Sequence, residues 1–297
     1  MTGLLSRRVA LVTGAARGLG RAHVLALARS GARVVVNDLD ANGVDQVCEE
    51  VVRAGGEALA STANVQDHHA VGNMVAAALA RWGQLDILVN NAGILRDRTF
   101  AKLDLADFRL VLDVHVMGSV NCAQAVWPHM KERGYGRVVF TTSSSGLYGN
   151  FGQSAYSAAK MALVGLMQTL ALEGVRYGIH VNCIAPSAAT QMTDGLWSPE
   201  DLAALDPQRV SPAVVALASE AAPNKRIVLA GAGSIKLANV TMTRGVYLAD
   251  DRLSAEEILT QWDRIGDRTE ELVPAAGSDQ YRYEAESSRA GAPRRGT

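Results

Sequence analysis

The chain has 297 residues, of which 48% are hydrophobic and 20% are charged, a composition that suits one large domain or two small ones. Its 29 lysines and arginines nearly balance its 30 aspartates and glutamates, which argues against a general surface for nucleic acid. The three cysteines lie far apart, so they predict neither a metal site nor a disulfide framework and suit a reducing compartment. Apolar runs end well short of about 18 residues, and we expect a cytoplasmic protein without a membrane span.

The first predicted strand, residues 8–13, leads into a glycine-rich turn and then a helix over 21–29. The turn has the spacing Gly14-x-x-x-Gly18-x-Gly20 rather than the general Gly-x-Gly-x-x-Gly fingerprint. Glycines let a backbone approach a pyrophosphate, and a helix N-terminus attracts its negative charge. The alternative is a turn that only requires left-handed dihedral angles. The strand–turn–helix context favours a dinucleotide site with contacts from Gly14, Arg17, Gly18, Leu19 and Gly20.

A second predicted strand, 33–37, ends at Asp38, about twenty residues beyond the turn. A carboxylate there can bind both adenosine ribose hydroxyls and repel a 2′-phosphate, which selects NAD over NADP. Arg17 argues for NADP, because a guanidinium in the turn could reach a 2′-phosphate. We give Asp38 more weight because its repulsion acts at short range. The alternative is that Asp38 only caps a helix beginning near Asn42.

Helical and strand patterns continue to alternate beyond Asp38. The predicted order is helix 44–54, strand 57–62, helix 70–82, strand 85–89, helix 108–133, strand 137–142, helix 153–177 and strand 180–184. Such alternation predicts an α/β fold with a doubly wound parallel sheet of the Rossmann type and right-handed crossovers.

After residue 198 the pattern changes to shorter elements punctuated by prolines. They are predicted as helices 199–205 and 211–219, a strand 226–230 and a helix 258–265 that opens with a capping box at Ser254. The predicted organisation is a Rossmann domain over 1–250, a helical extension of the same domain over 251–274 and a flexible tail over 275–297. We expect the region beyond residue 198 to shape a substrate pocket. A solubilising cap on a distant face is the alternative for the helical extension.

Tyr156 and Lys160 are four residues apart in a helical stretch, so their side chains share one face of the helix. An ammonium beside a phenol favours the phenolate, which lowers a tyrosine pKa that starts near about 10. Such a tyrosine can exchange a proton with an alcohol or a carbonyl. Ser143 follows a buried strand, where its hydroxyl would enter the crevice in which open α/β sheets bind ligands. The alternative for Tyr-x-x-x-Lys is an amphipathic tyrosine beside a lysine that only covers the surface.

These motifs, taken in order and spacing, resemble those of the short-chain dehydrogenase/reductase family. The match comprises Thr13-Gly14-x-x-x-Gly18-x-Gly20, Asn90-Asn91-Ala92-Gly93, Ser143 and Tyr156-x-x-x-Lys160. The resemblance implies that Tyr156 is the general acid/base, that Lys160 lowers its pKa and binds the nicotinamide ribose, and that Ser143 binds the substrate oxygen. It also implies that Asn64 and Val65 bracket the adenine, that Asn91, Ala92 and Gly93 line the cofactor, and that Pro186 contacts it.

The chain departs from the family pattern at two positions. His115 stands where the family has an asparagine that supports a water linked to the lysine, and Pro186-Ser187 replaces the usual Pro-Gly. An imidazole or the backbone carbonyl of His115 could hold the same water, so His115 is kept among the candidate catalytic residues. No metal ligand set is predicted.

A narrower resemblance, from the N-terminus to about residue 265, is to the (3R)-hydroxyacyl-CoA dehydrogenase domains of the peroxisomal multifunctional β-oxidation enzymes (17β-hydroxysteroid dehydrogenase type 4). It rests on residues 93–98, 114–115, 148–153, 184–186 and 231–233. It implies an NAD-dependent dehydrogenase of (3R)-3-hydroxyacyl-CoA. The alternatives are a hydroxysteroid dehydrogenase, an NADPH-linked ketoreductase and, from another class, a catalytically silent dinucleotide-binding protein. No motif decodes substrate choice, which we place in residues 188–237.

The predicted helices 108–133 and 153–177 carry apolar residues beyond one stripe. These residues are Val116, Val120, Ala123, Val126, Leu163, Leu166, Met167 and Leu170. A helix that is apolar on two faces must bury the second one, so we expect a homodimer or homotetramer built on these helices.

Overall fold

One sheet organises the larger part of the chain in the computed structural model, which describes residues 3–189 and 204–291. Its order is β3-β2-β1-β4-β5-β6-β7-β8. The strands are β1 (Val9–Thr13), β2 (Arg33–Asn37), β3 (Ala58–Ser61), β4 (Ile87–Asn90), β5 (Gly136–Thr141), β6 (Ile179–Pro186), β7 (Ile227–Gly231) and β8 (Ser234–Ala238). Neighbouring strands from β3 to β7 are parallel, and β8 returns antiparallel to β7. The predicted doubly wound α/β fold is confirmed.

The strand order reverses between β1 and β4, which opens a crevice at their carboxyl ends where such sheets bind ligands. Connecting helices cover both faces, so the strands of the sheet centre are buried at every position rather than on alternate ones. The helices of this part are α1 (Gly18–Arg29), α2 (Ala41–Arg53), α3 (His68–Trp82), α4 (Leu105–Leu112), α5 (Gly118–Arg133), α6 (Ser144–Tyr148), α7 (Ser154–Gly174) and α8 (Ser211–Ala218).

The core has two layers, one on each face of the sheet. Side chains of α1, α2 and α8, such as Leu27, Val47 and Val214, form the layer on one face. Side chains of α3, α5 and α7, such as Met74 and Met167, form the layer on the other. This packing holds the carboxyl ends of the strands in fixed positions.

The structure adds features that periodicity does not predict. The predicted helix 108–133 begins earlier, at Leu105, and contains a π-helical turn at Asp113–Met117 that joins α4 to α5. Short α6 and the antiparallel β8 are also unpredicted, because five residues carry too little pattern. Most of the predicted helix 199–205 lies outside the described residues.

The chain divides into two compact units, Met1–Ala238 and Asn239–Thr297. The second contains α9 (Ala255–Thr260), α10 (Trp262–Ile265) and α11 (Ser278–Gly291). The hydroxyl of Ser254 accepts a hydrogen bond from the Glu257 N–H at 3.1 Å, as the capping-box pattern predicts. Helix α11 occupies much of the segment that composition predicts as a flexible tail. The domain limits at 250 and 274 remain predictions.

The described residues were compared with the requirements of a metal site and of a membrane-spanning helix. No group of three or more His, Cys, Asp or Glu side chains there could hold a metal ion. One helical stretch, Ser154–Tyr177, is long and apolar enough to cross a membrane by length and composition. Its Leu163, Val164 and Met167 belong to the core on one sheet face, which explains its apolar character without a membrane.

Candidate active site

A cleft of about 230 Å³ lies at the carboxyl ends of the central strands. Its walls combine the end of β5, the first turns of α7, the end of β6 and the loop after β4. Eight residues named from the sequence line it: Leu19, Asn91, Gly93, His115, Ser143, Tyr156, Lys160 and Pro186. The fold thus brings together side chains that are up to 167 positions apart in the sequence.

Tyr156 lies in the first turn of α7, with most of its ring removed from solvent. Burial raises its pKa above the ordinary value, the hydrogen bond with Ser143 lowers it, and the negative charge of Asp97 raises it. Ser143 is also the N-cap of α6, where its hydroxyl accepts a hydrogen bond from the Ser145 N–H at 3.2 Å. The cap holds this hydroxyl in place beside the phenol.

Lys160 is almost wholly buried, and its Nζ donates a hydrogen bond to the Thr141 carbonyl at 2.7 Å. Burial lowers its pKa to about 7, so the neutral amine is more accessible here than in an exposed lysine. Its Nζ lies 5.4 Å from the Tyr156 ring centre. The effect of Lys160 on the pKa of Tyr156 stays a prediction.

His115 lies in the π-helical turn, 1% exposed, with its ring edge-on to Tyr156 at a centroid distance of 5.4 Å. Its Nε2 is 3.0 Å from the Ile94 nitrogen and 2.9 Å from the Ile94 oxygen, while Nδ1 is buried and has no hydrogen-bond partner among the described residues. Burial, with the nearby Lys160, lowers its pKa to about 3. The imidazole is therefore neutral at physiological pH.

Gly93 makes room for this histidine. A Cβ at Gly93 would lie 2.3 Å from His115 Cε1, so a larger residue would displace the ring. The carbonyl of His115 accepts a hydrogen bond from the Ser119 hydroxyl at 2.7 Å. The side chain and the backbone carbonyl of His115 are therefore both hydrogen-bonded to neighbouring residues. Among the described residues, Nδ1 is the atom of His115 that is buried without a hydrogen-bond partner.

The glycine-rich turn has the geometry of a phosphate cradle. Gly14 and Gly18 have φ angles of 65° and 53°, in the left-handed region that favours glycine. Helix α1 begins at Gly18 without a side-chain cap from Arg17 and without an acidic residue in its first turn. Within the described part of the chain no side chain caps its first N–H groups, and the residues present fit the pyrophosphate of a dinucleotide.

The amide of Asn91 bonds to the glycine-rich turn. Its Nδ2 donates to the carbonyls of Thr13 and Gly14 at 3.0 and 2.9 Å. The backbone N–H groups of Asn91 and Ala92 donate to the Thr13 hydroxyl at 3.0 and 3.1 Å. These bonds tie the end of β4 to the glycine turn, so Asn91 shapes the crevice wall while also lining it.

Asp38 lies at the end of β2, beside the glycine turn. Its carboxylate accepts hydrogen bonds from the N–H groups of Ala16 at 3.1 Å and Asp40 at 3.2 Å. The alternative role as a helix cap is wrong, because Asp40 caps α2 through the Gly43 N–H at 3.1 Å. The carboxylate thus stands next to the turn that would hold the pyrophosphate.

Asn64 and Val65 follow β3 at the same edge of the sheet. The Asn64 side chain accepts from the Gln66 N–H at 3.0 Å, and the Val65 carbonyl accepts from Asn121 Nδ2 at 2.9 Å. Gly118 packs so closely that a Cβ there would lie 2.7 Å from Val65. These contacts fix the segment, and nothing in them tests a role in adenine binding.

Sequence reasoning missed several residues at the cleft, and two of them, Gln153 and Asp97, are hydrogen-bonded to each other. Gln153 lines the cleft, and its Nε2 donates to Asp97 Oδ2 at 2.6 Å. Gln153 stands three residues before Tyr156, which is a signal that could have found it. Asp97 comes from a loop with no pattern of its own, so only the folded chain brings it here.

Comparisons with known proteins agree with this geometry. A family model described as short chain dehydrogenase matches residues 8–201, more than half of the chain. The sequence is 43% identical over 270 residues to a short-chain type dehydrogenase/reductase of Mycobacterium tuberculosis, covering 88% of this chain and 94% of that protein. It is 41% identical over 273 residues to the peroxisomal multifunctional enzyme type 2 of Drosophila melanogaster, covering 88% of this chain and 45% of that enzyme.

Solved structures extend the comparison. The full-length Drosophila multifunctional enzyme matches with a TM-score of 0.83 and 36% identity over 96% of this chain and 50% of that chain. The chain therefore spans about half the length of that relative. A 7α-hydroxysteroid dehydrogenase in complex with NADH and 7-oxo glycochenodeoxycholic acid matches with a TM-score of 0.73 and 29% identity, over 78% of this chain and 96% of that chain. With its cleft of Ser143, Tyr156 and Lys160 beside a dinucleotide turn, the chain belongs to the short-chain dehydrogenase/reductase family of NAD(P)-dependent oxidoreductases.

Proposed function

We propose that the protein oxidises (3R)-3-hydroxyacyl-CoA to 3-oxoacyl-CoA with NAD. The observation that carries the proposal is the placement of Ser143, Tyr156 and Lys160 in one cleft beside the glycine turn. The substrate class is supported by the similarity to the peroxisomal multifunctional enzymes of Drosophila and mouse, 41% and 43% identical over 88% of this chain.

The protein's own contribution is to bind the hydroxyl and to move its proton. Ser143 holds the substrate oxygen, and Tyr156 takes the hydroxyl proton as the general base. When bound, NAD supplies the acceptor for the hydride that leaves the carbinol carbon. Burial raises the pKa of Tyr156, so the protonated phenol is suited to donate its proton in the reverse direction, while oxidation of the alcohol requires the phenolate form as the base.

Asp38 supports NAD as the cofactor. Its carboxylate lies at the Ala16 N–H of the glycine turn, where a 2′-phosphate on the adenosine ribose would meet a negative charge. Arg17, the exposed N-cap residue of α1, is the feature that favours NADP. Gly14, Gly18 and Gly20 would hold the pyrophosphate, with Asn64 and Val65 at the adenine.

His115 acts in this proposal as a positioning residue. Its Nε2 bonds to the Ile94 backbone, its ring lies edge-on to Tyr156, and its buried Nδ1 has no partner in the part of the chain that the structure describes. A water molecule at Nδ1 would satisfy that atom and link it toward Lys160, which is the role that the family asparagine suggests. Replacing His115 with Asn should preserve activity better than replacing it with Ala.

Hydroxysteroid oxidation is the second candidate. It is favoured by the structural match to the 7α-hydroxysteroid dehydrogenase, which uses the same fold for a bulky ring substrate. Steady-state kinetics on a panel of 3-hydroxyacyl-CoAs and hydroxysteroids, each with NAD and NADP, separate the candidates. We expect the highest kcat/KM with a (3R)-3-hydroxyacyl-CoA and NAD; a higher value with a steroid would replace the first proposal with the second.

We also propose a cytoplasmic homo-oligomer. Of the eight apolar residues named from the two long helices, Ala123, Val126, Leu163 and Met167 are buried within the chain itself. Val116, Val120, Leu166 and Leu170 are only half-buried, so the apolar second face is narrower than the sequence suggests. Sedimentation at micromolar concentration should give at least a dimer, and a monomer would contradict the proposal.

A further inference from the structure

Gln153 is a polar side chain of the cleft that the proposed reaction does not use. It is the N-cap residue of α7, yet its amide makes no capping hydrogen bond. The side chain instead lines the same cleft as Ser143 and Tyr156. Because this half-buried amide does not cap the helix, its hydrogen bonds can serve the cleft instead.

The orientation of this amide is fixed by its neighbours. Gln153 Nε2 donates to Asp97 Oδ2 at 2.6 Å, and Gln153 Oε1 accepts from Asn150 Nδ2 at 2.9 Å. A carboxylate only accepts hydrogen bonds, so the nitrogen of the amide must be the atom that faces Asp97. An amide nitrogen carries two N–H groups, and among the described residues only the one that faces Asp97 has a hydrogen-bond partner.

Asp97 is itself held in place. The Arg98 N–H donates to the Gly152 carbonyl at 2.9 Å, which ties the loop after β4 to the loop before α7. The second carboxylate oxygen of Asp97, Oδ1, is buried without a hydrogen-bond partner in the described residues. The carboxylate therefore accepts its side-chain hydrogen bond from Gln153, and this hydrogen bond is charge-assisted.

We propose that Gln153, oriented by Asp97, donates a hydrogen bond to the thioester carbonyl, which one methylene separates from the reacting carbon, and thereby selects β-hydroxy thioesters over simple secondary alcohols. The inference rests on the proposed function, because it names the group of the proposed 3-hydroxyacyl-CoA substrate that Gln153 recognises. A (3R)-3-hydroxyacyl thioester has a carbonyl one carbon away from the carbinol carbon, within the same small cleft. A hydroxysteroid has no such acceptor beside its hydroxyl.

The test compares two substrates that differ at one group. They are (3R)-3-hydroxybutyryl-CoA and its thioether analogue, in which a methylene replaces the thioester carbonyl. For wild type we expect kcat/KM to be about tenfold higher, or more, with the thioester, which is the size of one hydrogen bond. Q153A should reduce this ratio to near one by lowering activity on the thioester and leaving activity on the thioether within about twofold. If the thioether is not turned over, its inhibition constant replaces kcat/KM.

Two further variants separate recognition from structure. Q153M keeps the length of the side chain without its hydrogen-bonding groups, so it should lose the preference as Q153A does. Q46A, which removes an exposed glutamine of α2, should retain it. If Asp97 acts through Gln153, the D97A/Q153A double variant should lower the thioester-to-thioether ratio no further than Q153A alone.

The outcomes are distinguishable. An unchanged ratio in Q153A, or an equal loss on both substrates, overturns the role of Gln153. A wild-type enzyme that turns over the thioester without preferring it to the thioether also overturns it. A wild-type enzyme that oxidises hydroxysteroids and does not oxidise the thioester rejects the proposed function itself.

Discussion

The two units of the chain use apolar residues in different ways. In Met1–Ala238, helices cover both faces of a sheet whose central strands are fully buried. Within residues 239–291, Asp279 is the one side chain in the buried class, at 8% exposure. Leu259 and Trp262, part of the stripe that predicts a helix, are 70% and 63% exposed. Helical spacing therefore predicts that a helix forms, and it does not reveal what its apolar face contacts.

The contrast between local pattern and tertiary contact also decides which parts of the fold and of the site can be predicted from the sequence. The second strand is found at 33–37 as predicted, because a run of valines between helical segments allows little else. The buried strands and the motifs at their ends follow from local pattern, which is why Ser143, Tyr156 and Lys160 could be named. The hydrogen bond between Asp97 and Gln153 and the burial of His115 Nδ1 could not be predicted, because tertiary contacts alone create them. The role of the region beyond residue 198 in substrate binding is still a prediction.

The largest expected effect tests the catalytic part of the first unit. Tyr156→Phe removes the phenol oxygen and keeps the ring, so kcat should fall by roughly 10²–10⁴-fold, the usual contribution of a general acid/base. Cofactor affinity, measured by fluorescence titration, should change little. Turnover close to wild type would show that another group transfers the proton.

A matched pair of leucines tests the comparison between the units. Leu88 in β4 is fully buried, so Leu88→Ala should cost about 2–5 kcal/mol of unfolding free energy. Leu259→Ala, at a largely exposed position, should stay within about 0.5 kcal/mol of wild type. Urea unfolding measures both. Equal costs would mean that Leu259 is covered in solution, for example in an oligomer.

A smaller effect, on the preference for NAD over NADP, is expected at the cofactor end of the cleft. Asp38→Ala removes the charge beside the glycine turn, so the preference for NAD over NADP in kcat/KM should narrow by about tenfold. Asp45→Ala, an exposed change on α2, is the control. A wild-type preference for NADP would show that Arg17 dominates cofactor choice.

The smallest expected effect concerns pH. The charge of Asp97 raises the pKa of Tyr156 by favouring the protonated phenol, so Asp97→Asn should lower that pKa. The rising limb of alcohol oxidation against pH should then move to lower pH, by up to about one pH unit. His115, with its pKa near 3, should contribute no limb between pH 5 and 8. A shift to higher pH in Asp97→Asn would contradict the assigned sign.

The most direct test of the central claim is the initial rate of NAD reduction with the two enantiomers of 3-hydroxybutyryl-CoA, using Tyr156→Phe as the blank. The account predicts that NADH forms rapidly from the 3R enantiomer, much more slowly from the 3S enantiomer, and at close to the background rate in the blank. No reduction of NAD with the 3R enantiomer, or equal rates in wild type and Tyr156→Phe, would contradict it.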